Sequence, residues 1–173
     1  MRSKMKNLKL FAAAAVIATA GFASDSFAQT TADDVDASAS VVIEQPISLS
    51  EDTSLDFATV LVDPDGGTIT LAVDGTTPTQ GSSSHVFSGT AQDGEFSLTG
   101  DANRALTITF TPGTLTGPGT AMAINNFTSN AGATPSTDGA GAFSFDVGAD
   151  LVIGAGQLGG TYTGTYNVEV DYQ

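Results

Sequence analysis

The last fourteen residues, Gly160 to Gln173, decide how the rest of the chain can fold; they read Gly-Thr-Tyr-Thr-Gly-Thr-Tyr-Asn-Val-Glu-Val-Asp-Tyr-Gln. From Tyr162 to Tyr172 every second side chain is aromatic or aliphatic, apart from Gly164, and the positions between them carry Thr, Asn, Glu and Asp. Because side chains alternate across a strand, this segment predicts a β-strand with one apolar face and one acidic face. Such a strand needs an apolar surface to pack against.

The N-terminus carries the pattern of an export signal. Four basic residues stand within the first nine positions, and a short apolar run follows them up to Ala23. Ser26-Phe27-Ala28 then places small residues where signal peptidase cleaves, so residues 1–28 are predicted to be a signal peptide removed after Ala28. An uncleaved membrane anchor is the alternative, but the run is shorter than the ~20 residues that a membrane span needs. We expect an exported protein, in the periplasm, at the cell surface or outside the cell.

The rest of the chain, residues 29–173, is strongly acidic. The whole sequence has 19 Asp and Glu against 5 Lys and Arg, a formal net charge of −14, and Arg104 is the only basic residue beyond the predicted signal peptide. Such a surface repels nucleic acid and anionic lipid, so neither is expected as a partner. No later segment is apolar and long enough to predict a membrane-spanning helix. The absence of cysteine excludes disulfides and thiol chemistry.

The pattern after residue 28 is that of a β protein. Short alternating runs recur between clusters of Gly, Pro, Asp and Ser, and no segment has a helical period of apolar residues. The runs lie at 35–43, 55–62, 68–73, 85–87, 94–99, 106–110, 121–127, 143–147, 151–153 and 160–173. We therefore predict an all-β protein, a single immunoglobulin-like or Greek-key β-sandwich of about nine short strands over residues 29–173. A closed barrel is the alternative.

Few residues offer catalytic chemistry. The only histidine, His85, has no Gly-x-Ser-x-Gly elbow to serve, so a loop histidine at the start of a strand is the favoured interpretation. A single histidine cannot form a zinc-binding pair. Carboxylates are abundant, as a glycosidase would require, but they fall in turns and on polar strand faces, and the chain has no Trp. We predict no enzymatic activity, no catalytic residue, no cofactor and no dedicated metal site.

Two weaker signals are best explained as ordinary structure. Asp63-Pro64-Asp65-Gly66 resembles half of a calcium loop, yet the following residues supply neither a third ligand nor a distal bidentate Glu. A plain turn is therefore predicted there, although acidic turns of this kind can bind calcium weakly. Arg104 and Asp101 are predicted to form a surface ion pair, which contributes little to stability.

The C-terminal half resembles a bacterial family of domains of unknown function, number 4402. The resemblance rests on Asp138–Gly148, reading DGAGAFSFDVG, and on Gly159–Val168, reading GGTYTGTYNV. Members of that family carry a G-x-a-x-F-x-V-G strand, a glycine-rich turn before a GtYtGt run, and a last alternating strand. Similar runs stand at Leu55-Asp56-Phe57 and at Gly66–Thr70. The resemblance extends over about residues 38–173 and implies one secreted β domain.

The C-terminal end is also similar to the last strand of chaperone–usher and spore-coat-U-like pilin subunits. Those strands have a penultimate aromatic residue, here Tyr172, alternating apolar positions before it, and a glycine fourteenth from the end, here Gly160. Leu55-Asp56-Phe57 resembles their L-N-F-G run. The chain departs from them in lacking a cysteine pair and in placing Gly164 within the apolar row. The positions that the resemblance assigns to the C-terminal groove strand are Gly160, Tyr162, Tyr166, Val168, Val170 and Tyr172.

The pilin resemblance implies a structural, cell-surface role with assembly by donor-strand complementation. In that mechanism an N-terminal extension, here residues 29–44, adds a strand to a neighbouring subunit. The partners would be further copies of the chain in a fibre, or a periplasmic chaperone. The donated side chains would be Val35, Ala37, Ala39, Val41 and Ile43.

Two alternatives stay open at the level of sequence. In the first, residues 35–43 form the first strand of their own complete sandwich. In the second, the chain is a monomeric binding module that contacts a carbohydrate or a matrix partner through its loops at 75–84 and 129–141. Neither loop contains an aromatic side chain.

Overall fold

The computed structural model describes residues 35–173, so the predicted signal peptide and its cleavage point lie outside the described residues. Within this range the chain has ten strands and no helix, which confirms the all-β prediction, and accordingly no helix there could span a membrane. The strands are β1 (Ser48–Thr53), β2 (Thr59–Leu61), β3 (Gly67–Leu71), β4 (Thr79–Gln80), β5 (Val86–Ser88), β6 (Gly94–Thr99), β7 (Leu106–Thr116), β8 (Met122–Ser129), β9 (Ala142–Ile153) and β10 (Thr163–Tyr172).

The strands form one large antiparallel sheet and one small one. Eight strands belong to the large sheet, along the path β1-β6-β9-β8-β7-β10, with β3 pairing with both β9 and β4. Strands β2 and β5 make the small sheet. Strand β9 is the centre, because it pairs in turn with β6 and β3 along its length and also with β8. The large sheet folds over so that β7 and β10 pack against β6 and β9, which gives a sandwich nearly closed into a barrel.

Two apolar clusters fill the space between the layers. The first surrounds Ile69, Leu71 and Leu151, and the second surrounds Leu106 and Phe145. Burying a side chain of this size fully contributes about 1.5–3 kcal/mol, so these clusters hold the layers together. Phe127 and Tyr166 pack against both clusters and join them into one continuous core.

Residues 142–153 form one strand, whereas the sequence predicted two with a break near Gly148. Strand β9 is continuous through Gly148. A side chain at this position would overlap the carbonyl oxygen of Leu71, so the glycine lets the backbone of the β3 end approach closely. The predicted break was wrong because a glycine in a strand can mark a close backbone approach as well as a turn.

Strand β7 continues through Pro112-Gly113, where the sequence predicted its end. It pairs with β10 along its length, and the register shifts between Thr165 and Asn167. Tyr166 therefore lies opposite the Pro112-Gly113 pair, which makes a β-bulge. A bulge tolerates proline, because one residue is left out of the hydrogen-bonded ladder.

The predicted run 55–62 is mostly not a strand. Only β2 remains of it, because Ala58 has a φ of 58° and interrupts the extended backbone. The Asp56 carboxylate accepts a hydrogen bond from the Ala58 N–H at 2.8 Å, which holds a tight local turn. Aspartate two residues before a chain reversal is a known turn signal, and here it prevails over the apolar content of the run.

Candidate functional site

The path of the large sheet begins and ends at two edge strands, β1 and β10, and the two-residue strand β4 is a third edge beside β3. Among residues 35–173, β1 pairs only with β6 and β10 only with β7. Ile47, which leads into β1, lies beside Val170 and Tyr172, whereas Glu51 near the other end of β1 acts electrostatically on Tyr166. The two edge strands therefore run in opposite directions past each other. We call the space between β1 and β10 the terminal groove.

The terminal groove is lined by apolar side chains that the domain covers only in part. Strand β10 directs Tyr166, Val168, Val170 and Tyr172 toward the second cluster, yet each of them is only half-buried. Ile47 and the β1 residue Leu49 are half-buried in the same way. Beneath them Leu106 and Phe145 are 0% and 1% exposed. The groove is therefore an apolar surface, bordered by two edge strands, that the domain itself covers only in part.

Tyr166 closes one end of the groove with a hydroxyl that has no partner. Its ring stacks on Phe127 at 4.8 Å between centroids and meets the edge of Phe96 at 6.4 Å. The hydroxyl is buried and finds no hydrogen bond within residues 35–173. Gly94 provides the room, since a Cβ there would stand 2.7 Å from that oxygen. Burial, with a smaller contribution from the Glu51 carboxylate, raises the pKa of Tyr166 to about 12.

We expect Tyr166→Phe to leave the domain at least as stable at neutral pH. The substitution removes an unpaired buried hydroxyl, which should raise the free energy of unfolding by up to ~1 kcal/mol. The unfolded tyrosine ionises near pH 10 and the folded one near pH 12. Below pH 10 the ionisation of Tyr166 has no effect on the free energy of unfolding. As pH rises from 10 to 12, the unfolded state of the wild type ionises first, so the wild type loses stability that Tyr166→Phe keeps. Urea unfolding followed by circular dichroism at pH 7 and pH 11 measures both effects.

Tyr172→Phe is the matched control for this prediction. The Tyr172 hydroxyl has two hydrogen-bond partners, so its loss should cost about 1–3 kcal/mol at pH 7. If Tyr166→Phe destabilises the domain as much as Tyr172→Phe does, the Tyr166 hydroxyl must have a partner and the prediction is wrong.

The other end of the groove is closed by a network around Arg104. The Tyr172 hydroxyl accepts a hydrogen bond from Asp101 N–H at 2.6 Å and donates one to the carbonyl of Gln45 at 3.0 Å. The guanidinium lies 4.8 Å above the centre of the Tyr172 ring and bonds the Glu44 carboxylate at 2.6 Å. We call Arg104, Tyr172, Glu44 and Gln45 the Arg104 clamp. The Glu44 hydrogen bond is also the main cause that raises the pKa of Arg104.

The sequence predicted only the weaker ion pair of this network, Arg104 with Asp101. Asp101 lies 3.8 Å from the guanidinium, as a local pair three residues away. Glu44, the closer partner, is distant in sequence, and no local pattern connects it with Arg104. Composition is the one sequence feature that indicates such a contact. Arg104 is the only Lys or Arg beyond residue 9, so an ion pair with one of the many carboxylates is expected, but its partner cannot be named from the sequence.

The candidate donor residues are exposed. Residues 35–47 belong to no strand, and the first strand of the domain is β1. Val35 is 77% exposed, Val41 79% and Ile43 84%, while Ala37 and Ala39 are exposed as well. In this structure residues 35–43 have no strand assignment. The aliphatic side chains at 35, 41, 42 and 43 are thus among the exposed large hydrophobic side chains of residues 35–173.

Gly160 and Tyr162 lie before β10 and not in it. Gly160 has a φ of 149°, and a Cβ there would stand 2.5 Å from the Pro118 ring. The Tyr162 hydroxyl donates to the carbonyl of Leu158 at 2.8 Å and accepts from Gly119 N–H at 2.7 Å. These two residues anchor the loop that leads into β10. The groove strand itself begins at Thr163, so it contains Tyr166, Val168, Val170 and Tyr172.

The acidic turn after β2 uses its first carboxylate internally. Asp63 accepts hydrogen bonds from the N–H groups of Asp65 at 3.0 Å and Ser84 at 2.8 Å, and these bonds lower the pKa of the Asp63 carboxyl. Its own N–H donates to Nδ1 of His85, which is only 4% exposed. His85 thus has its Nδ1 against a backbone N–H, so a neutral imidazole carries its proton on Nε2. The arrangement tethers a turn to the segment before β5.

A second acidic group was not found by sequence analysis. Carboxylate oxygens of Asp74, Asp93 and Asp146 lie within 4.8 Å of one another. Asp93 accepts a hydrogen bond from Asp74 N–H at 2.7 Å, and Asp146 accepts one from the Asn130 amide at 2.7 Å. Their sequence separation hides the cluster, because the sheet pairing brings the residues together. Neutral donors already occupy one oxygen on each of Asp93 and Asp146.

The fold defines a class: an acidic, all-β domain of antiparallel strands whose large sheet is nearly closed into a barrel, with the terminal groove between β1 and β10. The chain belongs to the family described as Domain of unknown function (DUF4402), whose profile matches residues 47–172. The matched span begins beside β1 and ends at Tyr172, so it includes both walls of the terminal groove and leaves out the exposed segment before it. No curated protein matches the chain. No solved structure matches it.

Proposed function

We propose that this protein is an exported, non-catalytic structural subunit of the cell surface that assembles as pilins do. Residues 35–43 of one copy add a strand between β1 and β10 of the next, so that each domain is completed by its neighbour. The observation that carries this proposal is that one chain contains both an apolar groove between two edge strands and an exposed segment with alternating aliphatic side chains.

The chemistry of the two surfaces supports the match. An added strand meets free backbone N–H and C=O groups on the facing edges of β1 and β10, and main-chain hydrogen bonds supply affinity without a special motif. Val35, Val41 and Ile43 are largely exposed in the free chain. Fully burying a Val or Ile side chain contributes about 1.5–3 kcal/mol, and the half-buried residues of β10 gain further cover at the same time.

The negative charge of the chain also supports assembly through apolar and backbone contacts. Both partners are strongly acidic, so ionic attraction cannot drive their association, and repulsion between them falls as salt screens it. Assembly must therefore rest on apolar burial and backbone pairing, which are the interactions that the groove offers. In an extended segment Asp36 lies on the face opposite to Val35 and Ala37, so in the proposed complex its carboxylate points away from the groove.

The test is the behaviour of residues 29–173 and of the same chain without residues 29–40. We expect the longer chain to form ladders that resist SDS and the shorter one to be a folded monomer, since all ten strands of residues 35–173 lie beyond residue 40. Thermal unfolding of the shorter chain checks that it is folded. If the longer chain stays monomeric, or if the shorter chain forms the same ladders, the proposal is wrong. A stable monomer would leave a loop-based binding module as the better explanation.

A further inference from the structure

The Arg104 clamp is built from the only basic residue of the exported chain. All other basic residues lie within the first nine positions. The guanidinium has many exposed carboxylates available, yet it bonds Glu44 at 2.6 Å, four residues before β1 begins. The same short segment is held a second time, because the Tyr172 hydroxyl donates to the Gln45 carbonyl. Two independent contacts therefore fix the backbone just outside the first strand.

The contacts tie together three separate parts of the chain. Glu44 and Gln45 precede β1, Arg104 and Asp101 lie between β6 and β7, and Tyr172 ends β10. A lone exposed ion pair contributes little, but here the guanidinium also packs on an aromatic face and the hydroxyl on that ring makes two hydrogen bonds. The position of the clamp is specific as well: it lies at the Tyr172 end of the terminal groove, beside Ile47 and Val170.

The position of the clamp affects self-insertion, which competes with insertion of a second copy's segment into the groove. A chain that carries both a groove and a strand able to fill it can insert its own segment. To do so, the residues before Glu44 would have to reverse direction at Glu44–Ile47 and run back along β1. The clamp holds this segment at both Glu44 and Gln45. Val41, Val42 and Ile43 directly before it are 79%, 85% and 84% exposed, and none of them is seated in the groove.

Pro46 acts against the same reversal. The tight two-residue turns that join neighbouring antiparallel strands need a positive φ at their first central position, and the proline ring fixes φ near −65°. Proline also disfavours a helical backbone at the preceding Gln45, which the clamp already holds. Self-insertion therefore requires both a longer loop and the release of Glu44 and Gln45.

We propose that the Arg104 clamp directs the N-terminal segment away from its own terminal groove, so that the groove is kept for a second copy of the chain. Arg104 and Tyr172 are positioning residues in this scheme, since they act on the course of the segment and not on the donated strand. The inference rests on the proposed function, and it adds the means by which assembly prevails over self-completion.

The experiment follows residues 35–43 by hydrogen exchange in monomers isolated by gel filtration, and SDS-resistant ladders in parallel. In Arg104→Gln and Glu44→Gln we expect amide exchange in 35–43 to slow by at least about fivefold and ladder formation to slow by a similar factor, the scale of a lost ion pair with its ring contact. Tyr172→Phe, which keeps the ring and loses the Gln45 bond, should show the same direction. Glu169→Gln is the matched control, because Glu169 is an exposed carboxylate on β10 outside the clamp.

The charge-swapped chain, with Glu44→Arg and Arg104→Glu together, should restore exchange and ladders toward wild-type values. Unchanged exchange of 35–43 in both Arg104→Gln and Glu44→Gln overturns the clamp proposal, even if wild-type ladders form. Wild-type chain that forms no ladders overturns the proposed function, but the comparison of exchange between monomers still decides the clamp. A Glu169→Gln chain that behaves like Glu44→Gln would show that only net charge matters, and this too overturns the proposal.

Discussion

We expect Val41→Asp in residues 29–173 to abolish the SDS-resistant ladders that the proposed assembly predicts, whereas Val42→Asp should leave them unchanged. Val41 shares a strand face with Val35, Ala37, Ala39 and Ile43, and Val42 lies on the opposite face. A carboxylate at 41 would be carried into an apolar groove without a partner. We expect a loss of at least about 3 kcal/mol, more than a hundredfold in the dissociation constant.

The pair of substitutions controls for stability within one segment. Val41 and Val42 are 79% and 85% exposed in the free chain, so neither aspartate should alter the unfolding of the monomer. Electrophoresis without boiling gives the ladders, and circular dichroism melting gives the fold. Should Val42→Asp abolish the ladders while Val41→Asp does not, the opposite face of the segment is donated and our assignment of the side chains is wrong. Equal loss in both would point to charge alone.

Gly164→Ala should lower the free energy of unfolding by about 3 kcal/mol or more, the range of substitutions that force backbone strain. Gly164 pairs with Leu115 of β7, and an added Cβ would overlap the carbonyl oxygen of Thr114. That oxygen is part of the backbone, so it cannot swing aside as a side chain would. The β7–β10 pair would have to separate or shift its register, and with it one wall of the terminal groove. Urea unfolding of the chain without residues 29–40 measures this without interference from assembly.

Gly159→Ala is the control for this substitution. It lies five residues earlier in the chain, where a Cβ would meet nothing within 4 Å, and its φ is not in the positive range. Its effect should stay within about 0.5 kcal/mol. A Gly164→Ala chain as stable as Gly159→Ala would mean that β7 and β10 do not pair in this register.

Strands with a clear alternation of apolar and polar residues could be predicted from the sequence. The alternation of the last fourteen residues gives β10 and its inward row, and Gly94–Thr99 was found with the limits that β6 has. Both succeed because a period of two needs only a few neighbouring residues to be recognised. The exposed aliphatic run at 35–43 was also visible, but its pairing was not, since nothing local distinguishes a first strand from a donated one.

What the sequence could not supply depends on contacts between distant residues. Pro112 lies in a β-bulge of β7 opposite Tyr166, and Gly148 lets the end of β3 approach β9. Both positions were interpreted as strand ends because the partner strand was unknown. The groove itself is a relation between β1 and β10, at opposite ends of the chain. The Arg104 clamp joins residues 60 positions apart, and so it has no sequence signature of its own.

The placement of the tyrosines has a practical consequence. The chain has three tyrosines and no tryptophan, and Tyr162, Tyr166 and Tyr172 all lie within or directly before the last strand. Tyrosine emission of the unlabelled protein therefore comes from β10 and from the loop that leads into it. A strand that seats beside β10 changes the solvent around Tyr166 and Tyr172, and it does so in every copy it joins. The proposed assembly is therefore open to measurement in real time by intrinsic fluorescence, with no dye attached to the surfaces under test.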